Sequence, residues 1–397
     1  MSADFKRCLS GLTSLFFCLL LSGCLGTKTT GGSTTGSPAA PAVRSLNLSR
    51  IPEPWKGPAG KLSQRGFSQE QLEAVFRSPN LNYTSGPMAA KLKELYPIYF
   101  RSDLIKEIQE KLFQLGYEIR IDGRGGPDTK DAIIKFQTDR HLGRDGQVSP
   151  ATLAAVNRAM KGRALRPLSE YSPPPARKAS RTATHTQFTN AAALAKIKGL
   201  YQADREIFQR MSREYNVPGE LAAAIMWVET RYGEFLGRYK AADMLASMAA
   251  AASDFSVVQA AVSDLDKDRE SRRFLEETAV RRGDWALNEL AALMTYSFRN
   301  GHDLTAFPSS IFGAVGWGQF MPSNVLKYGV DGNRDGRVDL FDKTDAIFSI
   351  GHFLKSHGWT GGRMSEEQRR AVVMKYNKSG IYVNTVLYVA DYLAKNK

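Results

Sequence analysis

The sequence predicts a mainly α protein of two or three domains, on three observations. Apolar residues recur at helical spacing through most of the chain beyond residue 50, as in Leu104, Ile105, Ile108, Leu112 and Phe113. Proline and glycine stand where such stretches begin and stop, for example Pro218 with Gly219 before one and Gly233 after it. The composition, 43% hydrophobic and 24% charged over 397 residues, is ordinary for globular domains and leaves ample chain for a large core. A formal net charge of +14 implies polyanionic surroundings. On charge alone nucleic acid, anionic lipid and acidic cell-wall polymer all remain open.

The N-terminus narrows that choice. Lys6 and Arg7 precede an apolar run from Leu9 to Leu21, too short to span a bilayer comfortably, so residues 1–24 read as a signal peptide. The run closes on Leu21-Ser22-Gly23-Cys24, which resembles the lipobox of bacterial lipoproteins. That resemblance implies lipidation at Cys24; an ordinary secretory signal with an incidental cysteine is the other reading. The three cysteines are Cys8, Cys18 and Cys24, so the exported chain has no disulfide framework. Export excludes nucleic acid as the natural partner. Residues 25–50, rich in Thr, Gly, Ser, Ala and Pro, read as a flexible tether.

Residues 51–100 contain helical patterns broken by Pro79, Pro87 and Pro97, too interrupted for a domain on their own. Residues 101–160 are more regular: a helix stopped by Gly116, a turn into a second helix with Ile133, Ile134 and Phe136, and a third introduced by Ser149-Pro150. The pattern Gln109…Leu112…Leu115-Gly116-Tyr117, Asp122-Gly123…Gly126-Pro127…Thr129, Phe136-Gln137, Asp145-Gly146…Thr152 resembles the three-helix peptidoglycan-binding domain attached to many cell-wall enzymes. Gly125 departs from it, standing where that family usually has a bulky residue. Residues 161–190, with Pro173-Pro174-Pro175, read as a linker, and residues 191–397 as one mostly helical domain.

Within that domain Gly219–Gly233 reads as a buried helix carrying one carboxylate, Glu229, near its C-terminal end. Its neighbours at spacing three and four are Ile225, Met226, Tyr232 and Gly233. A carboxyl among such groups loses hydration and titrates high, the state a general acid needs. From this helix alone, a glutamate that simply reaches solvent is the more ordinary reading. Asp243 and Glu289, in Ala/Leu-rich helices, read as structural. The glycines of Ser310–Ser323 let backbone approach a ligand; Trp317 and Phe320 offer apolar faces for sugar rings, and Ser310 and Gln319 offer hydrogen bonds. Tyr376-Asn377 through Tyr382 places two phenols and an amide near a helix start. The loop Asp331–Asp342 has oxygen-bearing side chains at positions one, three, five, nine and twelve and glycine at six, the EF-hand arrangement for calcium. The five histidines show no zinc spacing and read as surface or packing residues.

Val228–Gly233, Gly313–Ser323, Gly358-Trp359 and Tyr376-Asn377 together resemble the membrane-bound B family of lytic transglycosylases, which has a lysozyme-like fold. Gly66-Phe67…Leu72…Phe76 looks like the start of that family's catalytic unit, which would make the peptidoglycan-binding module an insertion. The resemblance implies cleavage between N-acetylmuramic acid and N-acetylglucosamine, with Glu229 as single acid/base and no cofactor for the chemistry. It implies that Ser310, Gln319, Phe320, Tyr376, Asn377 and Tyr382 line the cleft, with Arg231 meeting a substrate carboxylate. It also implies Asp345 as an alternative to Asp342 for closing the calcium loop, so the expected ligands are Asp331, Asn333, Asp335, Arg337, Asp342 and Asp345. The expected protein is a monomer, periplasmic and lipid-anchored at the outer membrane, bound to glycan strands. A hydrolytic muramidase and a non-catalytic wall-binding lipoprotein are the competing readings.

Overall fold

The computed structural model describes residues 47–174, 182–362 and 364–396. Cys24, the signal segment and all but the last few tether residues lie outside these. Seventeen α-helices dominate the described residues; the only strands among them are Tyr239–Lys240 and Pro308–Ser309, paired antiparallel. No single helix among them is long and apolar enough to cross a membrane. In chain order the helices are α1 Lys56–Ser63, α2 Gln69–Phe76, α3 Gly86–Tyr99, α4 Ser102–Gln114, α5 Pro127–Asp139, α6 Pro150–Met160, α7 Thr186–Thr189 and α8 Ala191–Ala203. They continue as α9 Arg205–Tyr215, α10 Gly219–Thr230, α11 Ala241–Ser253, α12 Ser256–Gln259, α13 Arg269–Asn300, α14 Pro322–Tyr328, α15 Lys343–Ser356, α16 Glu366–Tyr376 and α17 Gly380–Lys395.

The chain divides into two compact units. The first gathers the described residues of 47–84, 182–250 and 284–396, so the N-terminal segment belongs with the C-terminal helices. The main chain of that segment is tied down there: Asn82 N–H donates to Asp243 Oδ1 (2.9 Å) and Thr84 N–H to Ser247 Oγ (3.0 Å). Its α2 starts in a capping box of Ser68 and Gln71. The division between the two compact units falls at 84, inside the expected 51–100 segment, because α3 joins the second unit, where Tyr96 and Phe100 pack on Phe274. Such aromatic contacts between distant residues leave no mark on local periodicity.

The second unit comprises 85–174 and 251–283. Its three-helix module, α4 to α6, closes around Ile108, Leu112, Ile119, Ile133, Phe136 and Val156. The polar motif residues hold this core together. Buried Gln109 donates to Asp122 Oδ1 (3.0 Å) and Thr129 Oγ1 (2.8 Å) and accepts from Gly123 N–H (2.8 Å). Gln137 repeats the arrangement with Asp145 Oδ1 (2.7 Å), Thr152 Oγ1 (3.0 Å) and Gly146 N–H (3.0 Å). Two buried amides thus each fasten an Asp-Gly turn to the helix that follows it, and satisfy their own polar atoms in doing so.

The expected linker 161–190 is packed at both ends. Tyr171 lies edge-on to Phe113 and accepts no free rein: its hydroxyl takes the Ile121 N–H (2.8 Å). At the other end α7 buries Phe188 against Trp227, whose indole N–H donates to the Phe188 carbonyl (3.2 Å). Proline and basic residues hid these two aromatic anchors in the sequence.

Candidate active site

The site is built on α10. Eleven of its twelve residues are buried, and the exception is Glu229. A helix apolar all round sits inside a core, here against α8, α9, α15 and α17. Gly219 allows the close approach at its start, where a Cβ would stand 2.7 Å from Phe208 Cβ. The Glu229 side chain keeps an opening to solvent while protein surrounds its carboxyl. Burial raises its pKa to about 8, against the smaller lowering effect of the Tyr382 hydroxyl. That hydroxyl donates to Glu229 Oε1 at 2.7 Å.

Tyr382 is placed by the first turn of α17, which Ser379 caps. Tyr376 ends α16, and its hydroxyl donates to the Gly318 carbonyl (2.5 Å). Burial and the Glu229 charge push both phenols well above their usual pKa. Gly318 has to be glycine, since a Cβ there would lie 2.8 Å from the Tyr376 hydroxyl. Gln319, in the left-handed region at φ 49°, donates to the Gly316 (3.1 Å) and Leu236 (3.3 Å) carbonyls. Gln319 Oε1 and Asn377 Oδ1 are buried acceptors with no hydrogen-bond partner among the described residues. An unmet buried acceptor is costly, so these two atoms invite N–H or O–H donors from a ligand.

Three expected site residues have other surroundings. Phe320 is 3% exposed and packs on Phe353 and Tyr376, so it is core and presents no face to a sugar. The Ser310 hydroxyl closes its own turn, accepting from Phe312 N–H (3.3 Å) and Ala314 N–H (3.1 Å). Arg231 caps α10 in the left-handed region at φ 52°, its guanidinium carbon 6.0 Å from the Phe188 ring centroid. Phe188 is the neighbour that sequence reasoning missed. Asp243 and Glu289 have the packing roles their context suggested; Glu289 accepts from Ser323 N–H (2.9 Å) and Oγ–H (2.8 Å).

In the acidic loop, Asp331 Oδ1 and Asn333 Oδ1 converge on the Asp335 N–H, each at 3.0 Å, and Asp335 Oδ1 accepts from Arg337 N–H (2.9 Å). Gly336 turns the chain at φ 90°. Asp342 is taken up as the N-cap of α15. Asp345 is fully buried, its carboxylate accepting from the N–H groups of Gly332 (2.9 Å), Asn333 (3.1 Å) and Asp339 (2.8 Å). Among the described residues no three His, Cys, Asp or Glu side chains close on a common point. The Asp331, Asn333 and Asp335 oxygens nevertheless fit a hard cation by type and by their convergence on one turn.

A mainly helical fold that holds an acid beside two buried phenols, with a three-helix module in the same chain, is of the lysozyme-like class. Residues 137–371, more than half of the chain, match the transglycosylase SLT domain family, and the chain belongs to it. Residues 101–156 match the putative peptidoglycan binding domain. Over 157 residues the chain is 30% identical to membrane-bound lytic murein transglycosylase B of Escherichia coli (strain K12), which covers 40% of this chain and 36% of that protein. The aligned part thus spans about a third of that relative's length. Among solved structures, soluble lytic transglycosylase SltB1 from Pseudomonas aeruginosa is similar at a TM-score of 0.44 and 20% identity, over 68% of this chain and 99% of that one. The Escherichia coli lytic transglycosylase Slt35 in complex with calcium is similar at 0.44 and 18%, over 72% and 98%.

Proposed function

We propose that the protein is a lytic transglycosylase that cleaves the bond between N-acetylmuramic acid and N-acetylglucosamine in peptidoglycan. The observation that carries this reading is the burial of the Glu229 carboxyl against the Tyr382 hydroxyl, which favours its protonated form near neutral pH. Neutral Glu229 gives its proton to the glycosidic oxygen as the bond to the anomeric carbon breaks. The carboxylate left behind takes the proton of the muramic 6-hydroxyl as that oxygen bonds to the same carbon. One carboxyl serves both steps, no water is consumed, and the product is a 1,6-anhydro sugar. Tyr382 orients the carboxyl, while Gln319 and Asn377 supply acceptors for acetamido N–H or sugar hydroxyl groups. Arg231, with its guanidinium beside the Phe188 ring, would meet a lactyl or peptide carboxylate.

A hydrolytic muramidase needs a second carboxylate to handle water. Among the described residues, the groups that shift Glu229 are its burial and Tyr382 alone. The buried carboxylates Asp243, Glu289 and Asp345 are each engaged by main-chain N–H groups, and buried Glu220 by the Tyr201 hydroxyl. Digesting purified murein and weighing the fragments separates the two: anhydro products are expected, lighter by one water than hydrolytic ones. Reducing-end muramic acid as the sole product would reverse the choice.

Asp331, Asn333, Asp335 and the Arg337 main chain would hold a structural calcium ion, which would stiffen the loop and take no part in the proton transfers. The family membership and the leader sequence support a cell-envelope location, with Cys24 lipidated and the chain held at the outer membrane. Incorporation of labelled fatty acid, lost in a Cys24→Ala variant, is the expected result; label retained in that variant excludes the anchor.

A further inference from the structure

The chain leaves the proposed acid through an unusual turn. After Glu229 and Thr230, Arg231 (φ 52°), Tyr232 (φ 63°) and Gly233 (φ 85°) are all left-handed. Two of them carry a Cβ, so each costs on the order of 1 kcal/mol or more and has to be held by its surroundings. Two anchors do this. In the first, the Thr230 hydroxyl faces the Trp317 carbonyl (2.9 Å) and accepts from Gly233 N–H (3.0 Å). The Trp317 ring then lies against Gly233, where a Cβ would stand 2.7 Å from it, and edge-on to Tyr232. In the second, the Tyr232 hydroxyl donates to Asp204 Oδ2 (2.8 Å).

Both anchors end on the same four residues, at the exit of the acidic loop. Trp317 N–H donates to the Leu340 carbonyl (3.0 Å) and its indole N–H to the Phe341 carbonyl (3.0 Å). Asp204 Oδ1 accepts from Lys343 Nζ (2.7 Å). We propose that Trp317 and Asp204 are positioning residues for Glu229, which tie the strained turn behind it to residues 340–343. The inference rests on the lytic transglycosylase reading above. It assigns the loop exit a mechanical task that its own oxygen-rich sequence does not announce.

The test uses the full-length protein on murein, with Tyr232→Phe, Trp317→Phe, Asp204→Ala and Asp204→Asn beside Glu229→Gln. Tyr232→Phe keeps its ring and loses one hydrogen bond, and Trp317→Phe loses the indole N–H bond together with part of the ring that lies against Gly233. A displaced acid costs rate, and small displacements cost much. Tyr232→Phe, Trp317→Phe and Asp204→Ala are expected to lower kcat by roughly tenfold or more with KM within about twofold. They are also expected to move the alkaline limb of the pH–rate profile, because the carboxyl shifts relative to Tyr376 and Tyr382, the titratable groups that face it. Asp204→Asn keeps an acceptor for Tyr232 and is expected to restore most of kcat. Folded variants with a lower melting temperature but unchanged kcat and alkaline limb would overturn the inference. If Glu229→Gln itself still cleaves murein, the acid assignment fails; if it is inactive and the other variants behave as wild type, only the positioning roles fail.

Discussion

Glu229→Gln is expected to fold, to lose at least about a hundredfold in murein cleavage, and to melt several degrees above the wild type in alkaline buffer. The loss follows from asking one group to give and then take a proton; glutamine keeps an acceptor for Tyr382 and can do neither. The gain in stability follows from linkage. The carboxyl moves from an ordinary 4.5 when unfolded to about 8 when folded. Between those values the folded chain holds a proton that the unfolded chain has released, so stability falls as pH rises through this window. It is intact below 4.5 and lost above about 8. Glutamine does not titrate, so the two melting curves should coincide below pH 4.5, part as the pH rises through the window, and stay furthest apart above about 8. Wild-type cleavage should decline over the same alkaline range as the acid loses its proton. Melting temperatures that stay equal at every pH would show that burial does not raise this carboxyl.

Asp345→Ala is expected to destabilise the first unit by about 3 kcal/mol, since each of three N–H groups left without an acceptor costs about 1 kcal/mol or more. Gly332, Asn333 and Asp339 all lose their partner in that variant, and with it the shape of the loop. Calcium should raise, and a chelator lower, the melting temperature of the wild type, and both effects should vanish in Asp345→Ala. A wild-type melting temperature indifferent to calcium and chelator removes the ion. A variant as stable as the wild type removes the anchoring role of Asp345.

Much of this site was legible along the chain because its parts are local. The apolar helix with a carboxylate near its C-terminal end, the glycine-rich turn, the Tyr-Asn pair and the acidic loop each occupy a few consecutive residues. Their periodicity and spacing are properties of the sequence. Phe320 shows where that ends: an aromatic ring beside a ligand-binding turn reads the same whether it faces the cleft or, as here, Phe353 and Tyr376. The two packed ends of the expected linker were hidden for a related reason, since one Phe188 or Tyr171 among prolines and lysines has no period to betray it.

The amino-acid order by itself determined the helical class and the polar motif of the three-helix module, and through its family resemblance it singled out Glu229 as the candidate acid. Only the tertiary structure decided that residues 47–84 return to the C-terminal helices, and that Tyr382 reaches Glu229 across 153 positions. It also decided that Trp317 and Asp204 converge on 340–343. The reason is physical: helix formation reads neighbours three and four apart, whereas desolvation and hydrogen bonding at a buried carboxyl depend on whichever distant segments fold around it.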